Sequence, residues 1–383
     1  VSLSTPAQTL RRLSVVVTIQ WMGATLGLPL LPLFLRHRGG TPSVIGFIMA
    51  TFFFAGVATQ FFMGRLADIY GRRVIMVGSL VLYGVASMAY LLPVSAPWLA
   101  IARALQGVSA GAIEMSSLSA ISSLFPEAER GRAISKIFAA QLLGIAIGPM
   151  AGLLANVSDL GWAFAVTGLV SFASAVVAFN TNVGTHERID EALPPIQWSH
   201  QLVGALMGAA SVGLVIGVYE ACWSLLMTSH HATLLEIRLS WTLFCLPWVL
   251  LSKYGGWLAD HANRKYIGMA GLLNAGVFLS IYPHIHNNVV MLFAGSLESI
   301  GASLTMPAIS SLTTQGAHDR EQGRRQGLYT TANTATIAIA TAVSGALFSV
   351  NPALPFTVAS IASLMIASTT FYWWRNVRGK ISE

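Results

Sequence analysis

Twelve long apolar runs divide the chain, each ended by a proline, a glycine or a cluster of charges. They fall at about 13–35, 42–64, 74–93, 96–122, 133–156, 161–182, 201–228, 235–257, 266–284, 288–313, 327–349 and 353–374. Each has close to, or more than, the roughly 20 residues with which a helix crosses a bilayer. Backbone in hydrocarbon has no water to bond, so a run that spans must satisfy its own N–H and C=O groups as a helix. The pattern predicts an all-α membrane protein with twelve transmembrane helices. The first run follows Arg11 and Arg12 and is too long for the core of a cleaved signal, so it is read as a span that remains.

Composition sharpens this picture. Apolar and aromatic residues make up 54% of the 383 positions and charged residues only 10%, against about 25% in soluble proteins. That excludes an ordinary soluble enzyme and a disordered chain. The net charge of +7 sits in short clusters between the runs rather than on a nucleic-acid-binding face. With both termini cytoplasmic, all 22 Lys and Arg lie inside except Arg36, Arg38 and Arg238 in outer positions and Arg103 within the fourth run. The reverse orientation violates the positive-inside rule, so a multi-pass inner-membrane protein is expected. The last run closes on Phe371, Tyr372, Trp373 and Trp374, followed by Arg375, an aromatic belt with a basic anchor. The two cysteines, Cys222 and Cys245, lie inside apolar runs with no disulfide or metal spacing and are read as packing residues. His230, His231, His284 and His286 fall in outer loops and are read as solvated, with no metal site expected.

The polar stretch 183–200, with Pro194 and Pro195, lies near mid-chain and is read as a cytoplasmic linker between six-helix halves, 1–182 and 201–383. The halves repeat. Gly64-Arg65-Leu66-Ala67-Asp68 returns 192 residues later as Gly256-Trp257-Leu258-Ala259-Asp260. Arg72-Arg73 returns as Arg264-Lys265, and Glu129-Arg130-Gly131-Arg132 as Glu321-Gln322-Gly323-Arg324, at the same offset. Gly64 and Gly71 allow a tight turn, Asp68 can accept from a helix N-terminus or from Arg72, and Asn263 is the residue after glycine that best tolerates a left-handed backbone.

This loop resembles the signature of the major facilitator superfamily, and parallel six-helix repeats are that family's architecture. The resemblance implies two pseudo-symmetric halves around a central cavity, with Gly64, Asp68, Gly71, Arg72, Arg73, Asp260, Arg264 and Lys265 forming an inner latch. Three further stretches resemble its drug:proton antiporters. Gly27-Leu28-Pro29-Leu30-Leu31-Pro32 ends the first run. Arg103-Ala104-Leu105-Gln106-Gly107 lies in the fourth. In the fifth, Gly144, Gly148, Pro149 and Gly152 combine close helix approach with a proline; Leu153 stands where the antiporter pattern has a further glycine.

Three carboxylates lie inside runs: Glu114, Glu220 and Glu298. A charge there costs about 2.5–3.5 kcal/mol on the lenient insertion scale, so each needs a partner or a wet cavity. Tyr219-Glu220-Ala221-Cys222-Trp223 resembles the glutamate-plus-aromatic of quinolone exporters, which makes Glu220 the sharpest candidate for carrying a coupling proton. Aligning Pro307 with the family's tenth-helix proline puts Ser303 where those relatives have an acid, and Glu298 lies one to two turns away. The proton is then carried by Glu220 alone or with Glu298, with Glu114 and Arg103 assisting. Gln20, Trp21, Gln106, Tyr219 and Trp223 are the expected cavity lining, the aromatics holding a flat or cationic molecule. No His-Glu-x-x-His, Gly-x-Ser-x-Gly or phosphate-binding glycine loop is present. The expectation is therefore a non-enzymatic antiporter, monomeric in the lipid bilayer. It exchanges protons for an amphipathic small-molecule substrate in multidrug-type efflux and uses no cofactor. The rival is a family transporter for another substrate: siderophore, sugar or lipid export, or nutrient uptake.

Overall fold

The computed structural model describes residues 5–153, 155–181, 196–317 and 319–377; within its helices a few side chains, those of Gly64, Asp68 and Asp260 among them, lie outside the description. The described residues are helical throughout, in thirteen α-helices joined by short turns. The first span begins earlier than its apolar run. Thr5 accepts from Gln8 N while the Gln8 side chain accepts from Thr5 N, a capping box that starts α1 (Pro6–Leu26). Pro29 and Pro32 then break the span into a 3₁₀ turn, Leu28–Leu30, and α2 (Leu31–His37).

The second and third spans are α3 (Pro42–Tyr70) and α4 (Arg72–Met88). Only Gly71 separates them, at φ +86°. The sequence-based turn at Gly64–Gly71 is thus shorter than expected: α3 runs on through Gly64, and one glycine makes the reversal. Next come α5 (Leu99–Leu124), α6 (Glu127–Ala151) and α7 (Leu160–Phe179). After the linker, most of which lies outside the described residues, follow α8 (His200–Ser229), α9 (Leu234–His261), α10 (Arg264–Ile281), α11 (Asn288–Thr314), α12 (Asp319–Val350) and α13 (Leu354–Trp374). Asn263 does not take the left-handed backbone expected of it. Its φ is −77°, and its side chain accepts from Lys265 N as the N-cap of α10.

Among the described residues, eleven helical segments are long and apolar enough to cross a membrane, with α1 and α2 counted as one. The remaining long helix, α5, has 26 residues, more than enough to span. It is rich in Ser and Gly and carries Arg103 and Glu114, which lowers its hydropathy. Many large side chains face outward, including Trp162, Phe293, Leu250 and Met365. Such a surface is stable only where the surroundings are themselves apolar.

The chain divides into two compact units, Val1–Gly40 with Thr51–Asp190, and Thr41–Ala50 with Glu191–Glu383. In the first, α1 packs on α6 and α7, and α4 packs on α5 and α7. The second repeats the scheme: α8 packs on α12 and α13, and α10 on α11 and α13. One core gathers Leu13, Val17, Leu80 and Ile137; the other gathers Leu272, Ile309, Leu312 and the fully buried Trp374.

Candidate functional site

Within the second unit, α8, α9 and α11 line a half-open cavity of about 160 Å³. An engineered apolar cavity of about 150 Å³ holds one benzene ring. From α8 come Ile216, Tyr219, Glu220 and Trp223; from α9, Ser240, Trp241, Phe244, Cys245 and Trp248; from α11, Met291, Leu292, Gly295 and Glu298. Tyr282, in the 3₁₀ turn after α10, completes the lining. The α9 contribution follows helical periodicity: positions 241, 244, 245 and 248 share one face.

Glu298 is the focus of this wall. It is 1% exposed, and two phenols converge on it. Tyr219 Oη donates from 2.8 Å of Oε1 and 2.9 Å of Oε2, and Tyr282 Oη donates to Oε2 at 2.7 Å. Asn274 Nδ2 donates to the Glu298 backbone carbonyl at 3.1 Å. Both carboxylate oxygens are therefore hydrogen-bonded, with no cation in that set. The aromatic walls meet edge to face: Trp223 and Tyr282 at 4.9 Å and 85°, Tyr219 and Trp223 at 5.5 Å and 70°. That is the favoured geometry for rings with a negative face and a positive edge. Trp223 Nε1 donates to Ser240 Oγ at 2.8 Å. The indole N–H groups of Trp241 and Trp248 are buried and make no hydrogen bond among the described residues.

The structure thus brings together Tyr219, Glu220, Trp223 and Glu298 from the sequence-based set. It adds Ser240, Trp241, Phe244, Trp248, Tyr282 and Gly295, which sequence reasoning missed, and moves Cys245 from packing residue to cavity wall. The repeat of apolar aromatics at 241, 244 and 248 was the available signal. Ser303, aligned with an acid in quinolone exporters, turns its hydroxyl to its own helix and donates to Ile300 O. Cys222 is fully buried, and neither cysteine forms a disulfide.

The other candidates lie in the first unit. Arg103, 3% exposed, donates to Gln106 Oε1 at 3.4 Å and stacks its guanidinium over Phe52 at 4.3 Å. Gln106 Nε2 donates to Ser87 Oγ at 2.9 Å, and Tyr90 Oη donates to Gln106 Oε1. Gln20 accepts from Ser171 Oγ at 2.6 Å. Trp21 packs on the first unit's core, and Glu114 sits on α5, half-buried. Gly144, Gly148 and Gly152 lie directly on α1: a Cβ there would collide with Thr18 O, with Thr25 Oγ1 and Met22 O, and with Leu26 O respectively. Pro149 falls in the last turn of α6.

Of the latch residues, Arg72, Arg264 and Lys265 are buried at helix starts, and Arg73 stacks over Phe179 at 4.5 Å. Lys265 Nζ donates to Arg375 O at 3.3 Å. The side chains of Gly64, Asp68 and Asp260 lie outside the described residues. Beyond the ends of α8 and α10, His230 and His286 stack at 5.1 Å and 6°, and His230 Nδ1 lies 2.8 Å from Ile285 O.

Repeated six-helix packing, lipid-facing apolar surfaces and a ligand-sized cavity among helices define a polytopic membrane protein built to handle small molecules. The sequence profile described as Major Facilitator Superfamily matches residues 13–219 and 202–382, and the chain belongs to that superfamily of transporters, which are not enzymes. It is similar to the quinolone resistance protein NorA of Staphylococcus aureus, at 24% identity over 356 residues, covering 90% of this chain and 91% of that one. It is also similar to a chloramphenicol resistance protein of Pseudomonas aeruginosa, at 26% identity over 68% of this chain and 65% of that one. Among solved structures it matches a bacterial homologue of the human lysosomal transporter Spinster, with a TM-score of 0.73, 12% identity and 99% of both chains covered. At that identity the last likeness speaks for the fold alone.

Proposed function

We propose that this transporter is a proton-coupled antiporter that exports amphipathic small molecules by alternating access. The observation that carries the reading is Glu298, a carboxyl group inside the membrane-spanning region, in the wall of a cavity that Glu220 also lines. Its two tyrosine partners supply hydrogen bonds without supplying countercharge. Such a group has a bonded arrangement in either state. Ionised, it accepts from both phenols; neutral, its own O–H joins the set. A proton arriving from outside occupies the site when the cavity is empty. A cargo molecule entering from inside favours the ionised form and expels the proton, and mutual exclusion of the two is antiport. The resistance names of NorA and of the Pseudomonas relative support export of small amphipathic compounds. The proton gradient is the energy source, with no cofactor. We further infer an inner-membrane position with cytoplasmic termini, supported by the Lys and Arg distribution, and a monomer.

The test is reconstitution in liposomes with a trapped pH-sensitive dye and an imposed gradient, to which a panel of amphipathic compounds is added. Wild-type protein is expected to move protons on addition of at least one compound. Glu298→Gln, with unchanged melting behaviour, is expected to lose at least ten-fold of that coupled flux. A Glu298→Gln variant with wild-type gradient dependence would remove Glu298 from the coupling step.

A further inference from the structure

We infer that each unit carries a headgroup site for an anionic phospholipid, of the phosphatidylglycerol kind, at the inner end of its last span. The inference does not depend on proton coupling or on what the protein carries. Three observations support it. First, two cations converge at each of these corners. In the first unit Arg12 Nη1 donates to the carbonyl of Asn180, the C-cap of α7, at 2.9 Å, and the Arg73 guanidinium stacks over Phe179 at 4.5 Å. In the second unit Lys265 Nζ donates to the carbonyl of Arg375, the C-cap of α13, at 3.3 Å, and the Arg375 guanidinium stacks over Tyr372 at 4.4 Å. Arg73 and Lys265 stand 192 residues apart, at the offset of the sequence repeat, so the same corner is built twice.

Second, none of these four cations is ion-paired among the described residues. An ammonium has three N–H donors and a guanidinium five, so one carbonyl or one ring face leaves most of them to a ligand. A rule that places Lys and Arg on one side of the membrane does not ask for them in pairs at one helix end, where like charges repel. An anion held between them relieves that repulsion. Third, each corner opens on apolar surface. Val74 of α4 and Val176 and Phe179 of α7 are exposed, as are Tyr266 of α10 and Met365 and Tyr372 of α13. The two helices of each set pack on each other. An acyl chain lies along such a face while its phosphate meets the cations, and basic pockets between helices on the cytoplasmic side hold anionic headgroups in this way.

The experiment is native mass spectrometry of the purified full-length protein, released from detergent with phosphatidylglycerol or phosphatidylcholine of identical acyl chains. Wild-type protein is expected to retain one phosphatidylglycerol per unit at about ten-fold lower concentration than phosphatidylcholine. Arg375→Gln and Arg12→Gln are each expected to weaken retention about five-fold at one site and spare the other. Combined, they weaken both. Both residues are exposed, so melting in lipid-free detergent is expected to stay at the wild-type value. Lys136→Gln removes an exposed cation of α6 that belongs to neither corner and is expected to change nothing. Equal retention of the two lipids would overturn the inference. So would a Lys136→Gln effect as large as that of Arg375→Gln, which marks diffuse attraction to charge. Displacement of phosphatidylglycerol by an equal concentration of glycerol 3-phosphate would overturn it too, because the site then takes a soluble anion and makes no use of the chains.

Discussion

Two phenol hydroxyls reach Glu298 from positions 79 and 16 residues away in sequence, and that convergence makes a costly buried acid tolerable. A hydrogen bond to a charged group contributes about 1.5–3 kcal/mol. Tyr282→Phe keeps the ring and removes one such bond, so coupled flux in liposomes is expected to fall about ten-fold, with a drop in melting temperature. Wild-type flux at every pH tested would show that the hydroxyl does not hold Glu298. At this scale the sequence revealed the expensive residues and missed those that accommodate them. Glu220 and Glu298 stand out because charge is rare in apolar runs. Tyr282 does not: a tyrosine at the end of a run reads as an interfacial anchor. Only the 3₁₀ turn after α10 brings its hydroxyl inward, to Glu298. Ser303 shows the converse error, since alignment fixes a position along a helix but not the partner a side chain chooses.

At the scale of elements, the seam between α1 and α6 is set by three glycines against backbone carbonyls. Because the opposing atoms belong to backbone and to the short side chain of Thr25, they have little freedom to yield. Gly148→Val is expected to cost about 1–3 kcal/mol by overpacking, read as a clear drop in melting temperature in detergent. An unchanged melting curve would mean that the helices separate there at no cost. Gly71→Ala tests a different device. Nothing crowds the missing Cβ, but φ is +86°, and strain in that region costs about 1–3 kcal/mol. It is expected to lower the melting temperature comparably, whereas Gly78→Ala, on the open face of α4, is expected to have no such effect. Helix existence was legible because hydropathy reports the solvent a segment sits in. Helix ends were less so: α3 continues through Gly64, and Asn263 caps α10. Local hydrogen bonding decides such boundaries, and apolar periodicity does not record it.

At the scale of the whole molecule, one packing scheme is used twice, and the sequence carries a repeat at an offset of 192 residues. Orientation across the membrane is testable on the same scale. With Cys222 and Cys245 replaced by serine, Ser95→Cys lies in an exposed turn between α4 and α5, and Gln8→Cys lies on the exposed first turn of α1. In intact cells an impermeant maleimide is expected to label the former and spare the latter; the opposite pattern would invert the assigned topology. The cysteines themselves have a consequence for the native chain. Its two thiols both belong to the second unit, and one of them, Cys245, faces the cavity. Mercury(II) alkyls seek sulfur and are small enough for that space. They are expected to poison the transporter by filling that cavity, and Cys245→Ser would confer immunity.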